Sequence, residues 1–136
     1  MTTALLNGRW AYRSFHHAPI VIVDGQVAGT PELAQPWSPP GVLDATTDAG
    51  GRVTGTLTFG PGIALKVDGH VRAASETAPA SIELVGAGLG SVNRIKGYFV
   101  PGSDHVVGTI LCVANDLLKL PNGTVGPFVL HPQKAA

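Results

Sequence analysis

The chain has 136 residues, of which 44% are hydrophobic and 13% are charged. Nine basic and nine acidic side chains cancel, so the sequence lacks the charge excess that binds nucleic acid or an anionic membrane surface, and we expect neither partner. This length predicts a single domain over residues 1–136 that can bury a core without disulfides or metal.

The near-zero net charge favours self-association, and a homodimer would cover excess apolar surface. The N-terminus has no basic segment followed by a long apolar run, and no apolar run reaches the length of a membrane span. We therefore expect a cytoplasmic protein of bacterial type.

The first predicted strand, residues 8–15, carries the candidate ligand-binding face. Side chains alternate across a strand, so Trp10, Tyr12 and Ser14 share one face, which continues to His16. This face presents an aromatic ring, a phenol, a hydroxyl and an imidazole, and a binding pocket combines an apolar wall with a few polar groups. The simpler interpretation is that Trp10 fills the bottom of the core and Tyr12 bonds to the backbone.

A long connection, residues 16–40, follows this strand and contains five prolines. Structureless connections of this length are usually functional or disordered, and the β-branched run at residues 20–23, together with Trp37, argues against disorder. We therefore expect an ordered, buried segment. It is either a lid over one mouth of the fold, with Trp37 in the binding site, or a ninth strand or arm that packs on a partner subunit.

Further strands are predicted after this connection, separated mostly by short turns. They cover residues 41–48, 52–59, 63–74, 80–87, 93–101, 106–114 and 123–131. Parallel pairing would need crossovers of about a dozen residues, so strands that are neighbours in sequence should pair antiparallel. The result is an all-β fold, an eight-stranded antiparallel up-and-down barrel that closes on itself and leaves no free edge.

The period of two also assigns the inward faces of these strands. It is cleanest at residues 53–59, where it points Phe59 inward, and the same rule points Phe99 inward. We therefore expect both phenylalanines to line one end of a cavity with the polar face of the first strand. Inward glycines recur at Gly55, Gly69, Gly86 and Gly97. Their missing side chains indicate either strong barrel curvature or a ligand cavity.

The stretch Asn7-Gly8-Arg9-Trp10 resembles the Gly-x-Trp opening of the lipocalins and related small barrels, in which a long loop and then a meander follow. The avidin group begins similarly. The resemblance implies an eight-stranded cup that binds a small, apolar or amphipathic molecule. It also implies that Trp10 packs across the closed end near a late basic residue, for which Lys134 is the nearest candidate.

The chemistry-bearing side chains form no specific catalytic or metal-binding motif. The five histidines lack His-x-x-x-His spacing, and His16 and His17 point to opposite faces of a strand, so we expect no metal and no cofactor. Cys112 lies in an apolar run, which favours a buried, inert thiol. If the pocket is catalytic, His16 is the candidate general base and Tyr12 the candidate hydrogen-bond donor.

Three functions remain open. The first is binding of a small, mostly apolar molecule inside the barrel. The second is a cofactor-free isomerase, cyclase or hydrolase in the same pocket, resembling allene oxide cyclase-type barrels, where confinement of the substrate supplies much of the rate. The third is a structural or interaction barrel with residues 16–40 as a dimer arm. The candidate ligand-binding residues are Trp10, Tyr12, Ser14, His16, Trp37, Phe59 and Phe99.

Overall fold

The computed structural model describes residues 6–16, 21–28, 35–36, 38–116 and 122–133. Within these ranges the strands are β1 (Gly8–His16), β2 (Val21–Val23), β3 (Gln26–Ala28), β4 (Gln35–Pro36), β5 (Gly41–Thr47), β6 (Arg52–Gly60), β7 (Ile63–Arg72), β8 (Ser81–Gly88), β9 (Ser91–Phe99), β10 (Val106–Asn115) and β11 (Val125–Pro132). All eight predicted strands are present, as β1 and β5 to β11. No helix long and apolar enough to cross a membrane occurs in the part of the chain that the structure describes.

The eight long strands form one closed antiparallel barrel. From β5 to β11 each strand pairs with the next along the chain, and β1 completes the ring by pairing with both β5 and β11. At Trp10, for example, the backbone lies opposite Leu43 on one side and Pro132 on the other. The predicted up-and-down barrel is therefore confirmed. It follows from connections too short for anything but antiparallel neighbours.

Alternation along each strand separates a buried interior from an outer surface. On β7, Leu65 and Val67 are buried whereas Lys66 between them is exposed. Burial of each large aliphatic side chain contributes about 1.5–3 kcal/mol, so this interior is the main source of stability. β7 ends at Arg72, two residues before the predicted end of this strand, and Ala73 is exposed.

One end of the barrel, which we call the closed end, is occupied by Leu6, Trp10, Thr47 and Phe99, with the exposed Asn7 beside them. Leu6 is fully buried, and its backbone N–H donates to Thr47 Oγ1 at 3.1 Å while that hydroxyl donates to Leu6 O at 3.0 Å. Trp10 Nε1 donates to Asn7 O at 3.0 Å. The Trp10 ring is buried and meets Phe99 edge-on, with ring centroids 6.4 Å apart. The Leu6 backbone, the Thr47 hydroxyl and the Trp10 ring nitrogen therefore all have hydrogen-bond partners, and the Leu6 and Trp10 side chains are buried.

Three of the inward glycines allow adjacent strands to approach closely. A Cβ at Gly55 or Gly69 would overlap a carbonyl oxygen of the neighbouring strand, and one at Gly97 would come within 2.6 Å of a β10 carbonyl oxygen. These positions support the curvature interpretation. Gly86 differs, because a Cβ there would meet only side chains of β7, at 3.7 Å or more.

The long connection between β1 and β5 contains a hairpin and one short pairing. β2 and β3 pair antiparallel around Asp24 and Gly25, whose φ angles of 52° and 76° suit a tight hairpin turn. β4 pairs with the end of β1, as a ninth member of the sheet. Trp37 and the side chains of the apolar run at residues 20–23 lie outside the described residues. The lid and the arm therefore both stay predictions.

The outer surface differs around the barrel. Charged side chains alternate along β7 and continue on β9 at Arg94 and Lys96, whereas β10 and β11 expose Val107, Leu111, Val113 and Val125, next to Tyr98 on β9. Cross-strand pairing places Val107 opposite Tyr98, and Leu111 opposite Val125, so these side chains are neighbours. Exposed apolar clusters are common at interaction surfaces. The homodimer remains a prediction.

Candidate functional site

The other end of the barrel, the open end, contains a cavity of about 230 Å³. Most of its wall is apolar and comes from inward side chains of β6, β7, β9 and β10, namely Leu57, Phe59, Ile63, Leu65, Ile95 and Ile110. Ser38 and Pro39, at the end of the long connection, also line it. Ile63 is more than one-third exposed, which places it at the mouth.

The size of this cavity limits what it can hold. An engineered cavity of about 150 Å³ in another protein binds benzene, whereas pockets for drug-sized ligands measure about 300–1,000 Å³. The volume of about 230 Å³ lies between these values. It therefore suits a molecule of about one substituted ring.

Tyr12 and Ser14 form a polar group on the β1 side of the cavity. The Tyr12 ring lies between Phe59, at 6.0 Å between centroids, and Phe128, at 6.1 Å. Tyr12 is 1% exposed and Ser14 is 3% exposed. Within the described residues, neither hydroxyl has a hydrogen-bond partner of ordinary geometry. Two buried hydroxyls thus border the cavity with unused hydrogen-bonding capacity.

The protonation state of Tyr12 follows from its burial. Removal from water disfavours the phenolate and raises the pKa of the Tyr12 phenol well above its ordinary value, an effect that the nearby Ser14 hydroxyl partly offsets. Tyr12 is therefore a neutral phenol at physiological pH. It can donate a hydrogen bond to a bound molecule, but it is a poor base.

Asn93 and Ser91 form a second polar group, on β9. Asn93 Nδ2 donates to Ser91 Oγ at 2.9 Å, and both side chains line the cavity. Asn93 is 4% exposed, and its Oδ1 is without a hydrogen-bond partner among the described residues. Because β10 and β11 separate β9 from β1, the two polar groups occupy different parts of the wall. The cavity is thus apolar with two polar regions.

A β-bulge in β10 adds an amide to the second polar group. The pairing with β9 shifts between Cys112 and Ala114, so that Val113 is the extra residue and Asn115 lies opposite Ser91. Strict alternation from Cys112 would instead point Ala114 inward. The bulge therefore turns Asn115 into the cavity, which it lines.

The structure brings together only some of the predicted site residues. Tyr12, Ser14 and Phe59 line one cavity. His16 lies at the end of β1, but its side chain and Trp37 are outside the described residues, as is Lys134. Their binding roles, and the catalytic roles suggested for His16 and Tyr12, stay predictions.

Trp10 and Phe99 require a correction of position. Both point inward as predicted, but they pack on each other at the closed end and do not line this cavity. Alternation predicts which face of a strand a side chain lies on, but it does not predict the height of that side chain along the barrel axis. β6 and β9 run in opposite directions in an antiparallel meander, so Phe59 and Phe99, near the ends of those strands, lie at opposite ends of the barrel.

Sequence reasoning missed the polar residues of β9 and β10. Ser91 and Asn93 share the inward face of Ile95. The strand was predicted to begin at residue 93, whereas it begins at Ser91. If the predicted strand had begun two residues earlier, the same alternation would have pointed Ser91 inward. Asn115 carries no comparable signal, because the bulge that turns it inward is not encoded by a recognisable motif.

Among the described residues, few other reactive groups lie near this cavity. Tyr12 is the one titratable side chain among the described residues that line it. No cluster of three or more histidine, cysteine or acidic residues suited to a metal ion occurs in the described ranges. Cys112 is buried among core residues, and this burial raises the pKa of its thiol, which favours the inert interpretation.

Comparison with known proteins gives no match, whether with protein families, curated proteins or solved structures. The eight-stranded closed meander is compatible with the lipocalin-like barrels that the Gly-x-Trp opening resembles. What the protein does must therefore be argued from the cavity itself.

Proposed function

We propose that the protein binds a small, mostly apolar molecule in the open end of a lipocalin-like barrel. The observation that carries this proposal is the cavity of about 230 Å³ with an aliphatic and aromatic wall. Apolar surface of a ligand that moves from water into such a wall gains about 25 cal/mol per Å². A pocket that is mostly apolar with a few polar groups is the usual form of a small-molecule site.

The closed end supports a binding role in a second way. Leu6, Trp10 and Phe99 pack in the core at that end, which supports a cup whose ligand enters at the open end. A cup of this kind holds a ligand without chemistry. The alternative, a cofactor-free enzyme in the same pocket, would have the neutral phenol of Tyr12 as its one titratable group among the described lining residues.

Titration of the purified protein with ethylbenzene tests the proposal. We expect chemical-shift changes in ¹H–¹⁵N NMR spectra that saturate and are confined to residues of the open end. Leu57→Phe would place a larger side chain in the cavity and should weaken binding about five- to 150-fold, since overfilling costs about 1–3 kcal/mol. Val85→Phe, at an exposed position on β8, is the matched control and should leave binding unchanged.

Two results would contradict the proposal. One is wild-type protein that shows no saturable response either to ethylbenzene or to a one-ring alcohol such as benzyl alcohol. The other is an equal loss of binding in Leu57→Phe and Val85→Phe, because an effect of the outer position would mean that the molecule binds elsewhere.

A further inference from the structure

Three buried polar atoms without a hydrogen-bond partner of ordinary geometry among the described residues belong to side chains that line the same cavity. They are Tyr12 Oη, Ser14 Oγ and Asn93 Oδ1, and their side chains are each more than nine-tenths buried. Buried polar groups in native proteins are nearly always hydrogen-bonded, so each exception needs an explanation. In the described residues no other buried side-chain polar atom lacks a partner. Their concentration in one cavity points to a molecule that completes them.

The hydrogen-bonding capacity of these atoms restricts that molecule. The Tyr12 and Ser14 hydroxyls can each donate or accept, whereas a carboxamide oxygen such as Asn93 Oδ1 only accepts. A ligand that satisfies both walls must therefore donate a hydrogen bond to Asn93 Oδ1, and it can either accept from the two hydroxyls or donate to them. A hydroxyl or amide group can do both. It also suits Asn93 in either orientation of its amide.

The charge of the wall restricts the molecule further. The described residues that line the cavity include no lysine, arginine, histidine, aspartate or glutamate. A charged ligand group would lose its hydration without gaining an opposite charge, which is strongly unfavourable. The ligand group must therefore be neutral.

We propose that the site selects neutral molecules with an apolar body of about one ring and a hydroxyl or amide substituent, recognised by Tyr12, Ser14 and Asn93. This inference rests on the proposed binding function and adds a chemical class to it. It excludes pure hydrocarbons as the preferred ligands, because they would leave all three atoms unpartnered. It also excludes carboxylates.

Three one-ring probes test this selectivity: ethylbenzene, benzyl alcohol, which differs by a hydroxyl in place of a methyl, and benzoate. Each is titrated against wild type, Tyr12→Phe, Asn93→Leu and the control Tyr98→Phe, whose tyrosine is half-exposed on the outer surface. We expect Tyr12→Phe and Asn93→Leu each to weaken benzyl alcohol about three- to tenfold, the effect of one neutral hydrogen bond. The affinity for ethylbenzene should change less than about twofold in these variants, and this retained binding also shows that they are folded. Tyr98→Phe should leave the affinities for ethylbenzene and benzyl alcohol unchanged. Benzoate should not bind to any of the proteins.

The outcomes separate the two proposals. Suppose that ethylbenzene binds in the cavity, but that the affinity for benzyl alcohol is the same in wild type and in every variant. The polar atoms then do not recognise the ligand. This inference fails, while the proposed binding function stands. Benzoate that binds as tightly as benzyl alcohol would overturn the neutrality argument. If neither ethylbenzene nor benzyl alcohol binds wild type, the proposed binding function fails, and this inference fails with it.

Discussion

The two ends of the barrel are built on the same strands but differ in whether their buried polar atoms are hydrogen-bonded. At the closed end, the Thr47 hydroxyl makes two hydrogen bonds to Leu6, and Trp10 bonds through its ring nitrogen. At the open end, buried hydroxyls of Tyr12 and Ser14 have no such partners in the described chain. The hydrogen bonds at the closed end therefore stabilise the fold, whereas the hydroxyls at the open end keep hydrogen-bonding capacity that the described fold does not use.

The largest expected effect lies at the closed end. Trp10→Ala should lower the free energy of unfolding by about 3–5 kcal/mol, because it removes a buried ring packed against Phe99. Phe59→Ala at the open end should cost less, since that ring is only partly buried and borders a cavity. Urea unfolding of both variants measures the difference. A loss of less than about 1 kcal/mol for Trp10→Ala would show that the closed end is not a packed core.

A second comparison uses two inward glycines. Gly69→Ala should destabilise by about 1–3 kcal/mol, because its Cβ would overlap the Glu83 carbonyl oxygen on β8. Gly86→Ala should be neutral or stabilise by about 0.4–1 kcal/mol, since its Cβ would meet only side chains at ordinary contact distance. Thermal unfolding of the two variants checks this order. Equal losses would mean that the strands can adjust, and that curvature does not depend on Gly69.

The smallest expected effect compares one hydroxyl from each end. Thr47→Val should cost about 1–2 kcal/mol, because it leaves the buried backbone groups of Leu6 without partners. Ser14→Ala should change stability by less than about 0.5 kcal/mol, since it removes a hydroxyl that makes no hydrogen bond within the described residues. Urea unfolding in the absence of ligand measures both. A larger loss for Ser14→Ala than for Thr47→Val would reverse the distinction between the two ends.

Much of the fold was predictable because its signals are local. Alternation and short turns define each strand, and antiparallel neighbours then leave little choice but a closed meander. The same pattern placed Tyr12, Ser14 and Phe59 on the inward face, and all three line the cavity.

The rest of the site depends on geometry beyond the single strand. The level of Phe99 along the axis follows from strand direction and not from alternation, and Phe99 lies at the closed end. The inward turn of Asn115 depends on a shift in pairing between β9 and β10. A period of two cannot encode either feature, because it describes one strand at a time.

The bulge in β10 also has an evolutionary consequence. Val113 is the unpaired residue, so a chain that lacked it would form a regular ladder with Asn115 still opposite Ser91. β10 can therefore lose this one residue without changing the polarity of the cavity. Among descendants of a common ancestor, the length of this strand is thus free to drift while the amide stays in place, and a gap at Val113 would not imply a different ligand.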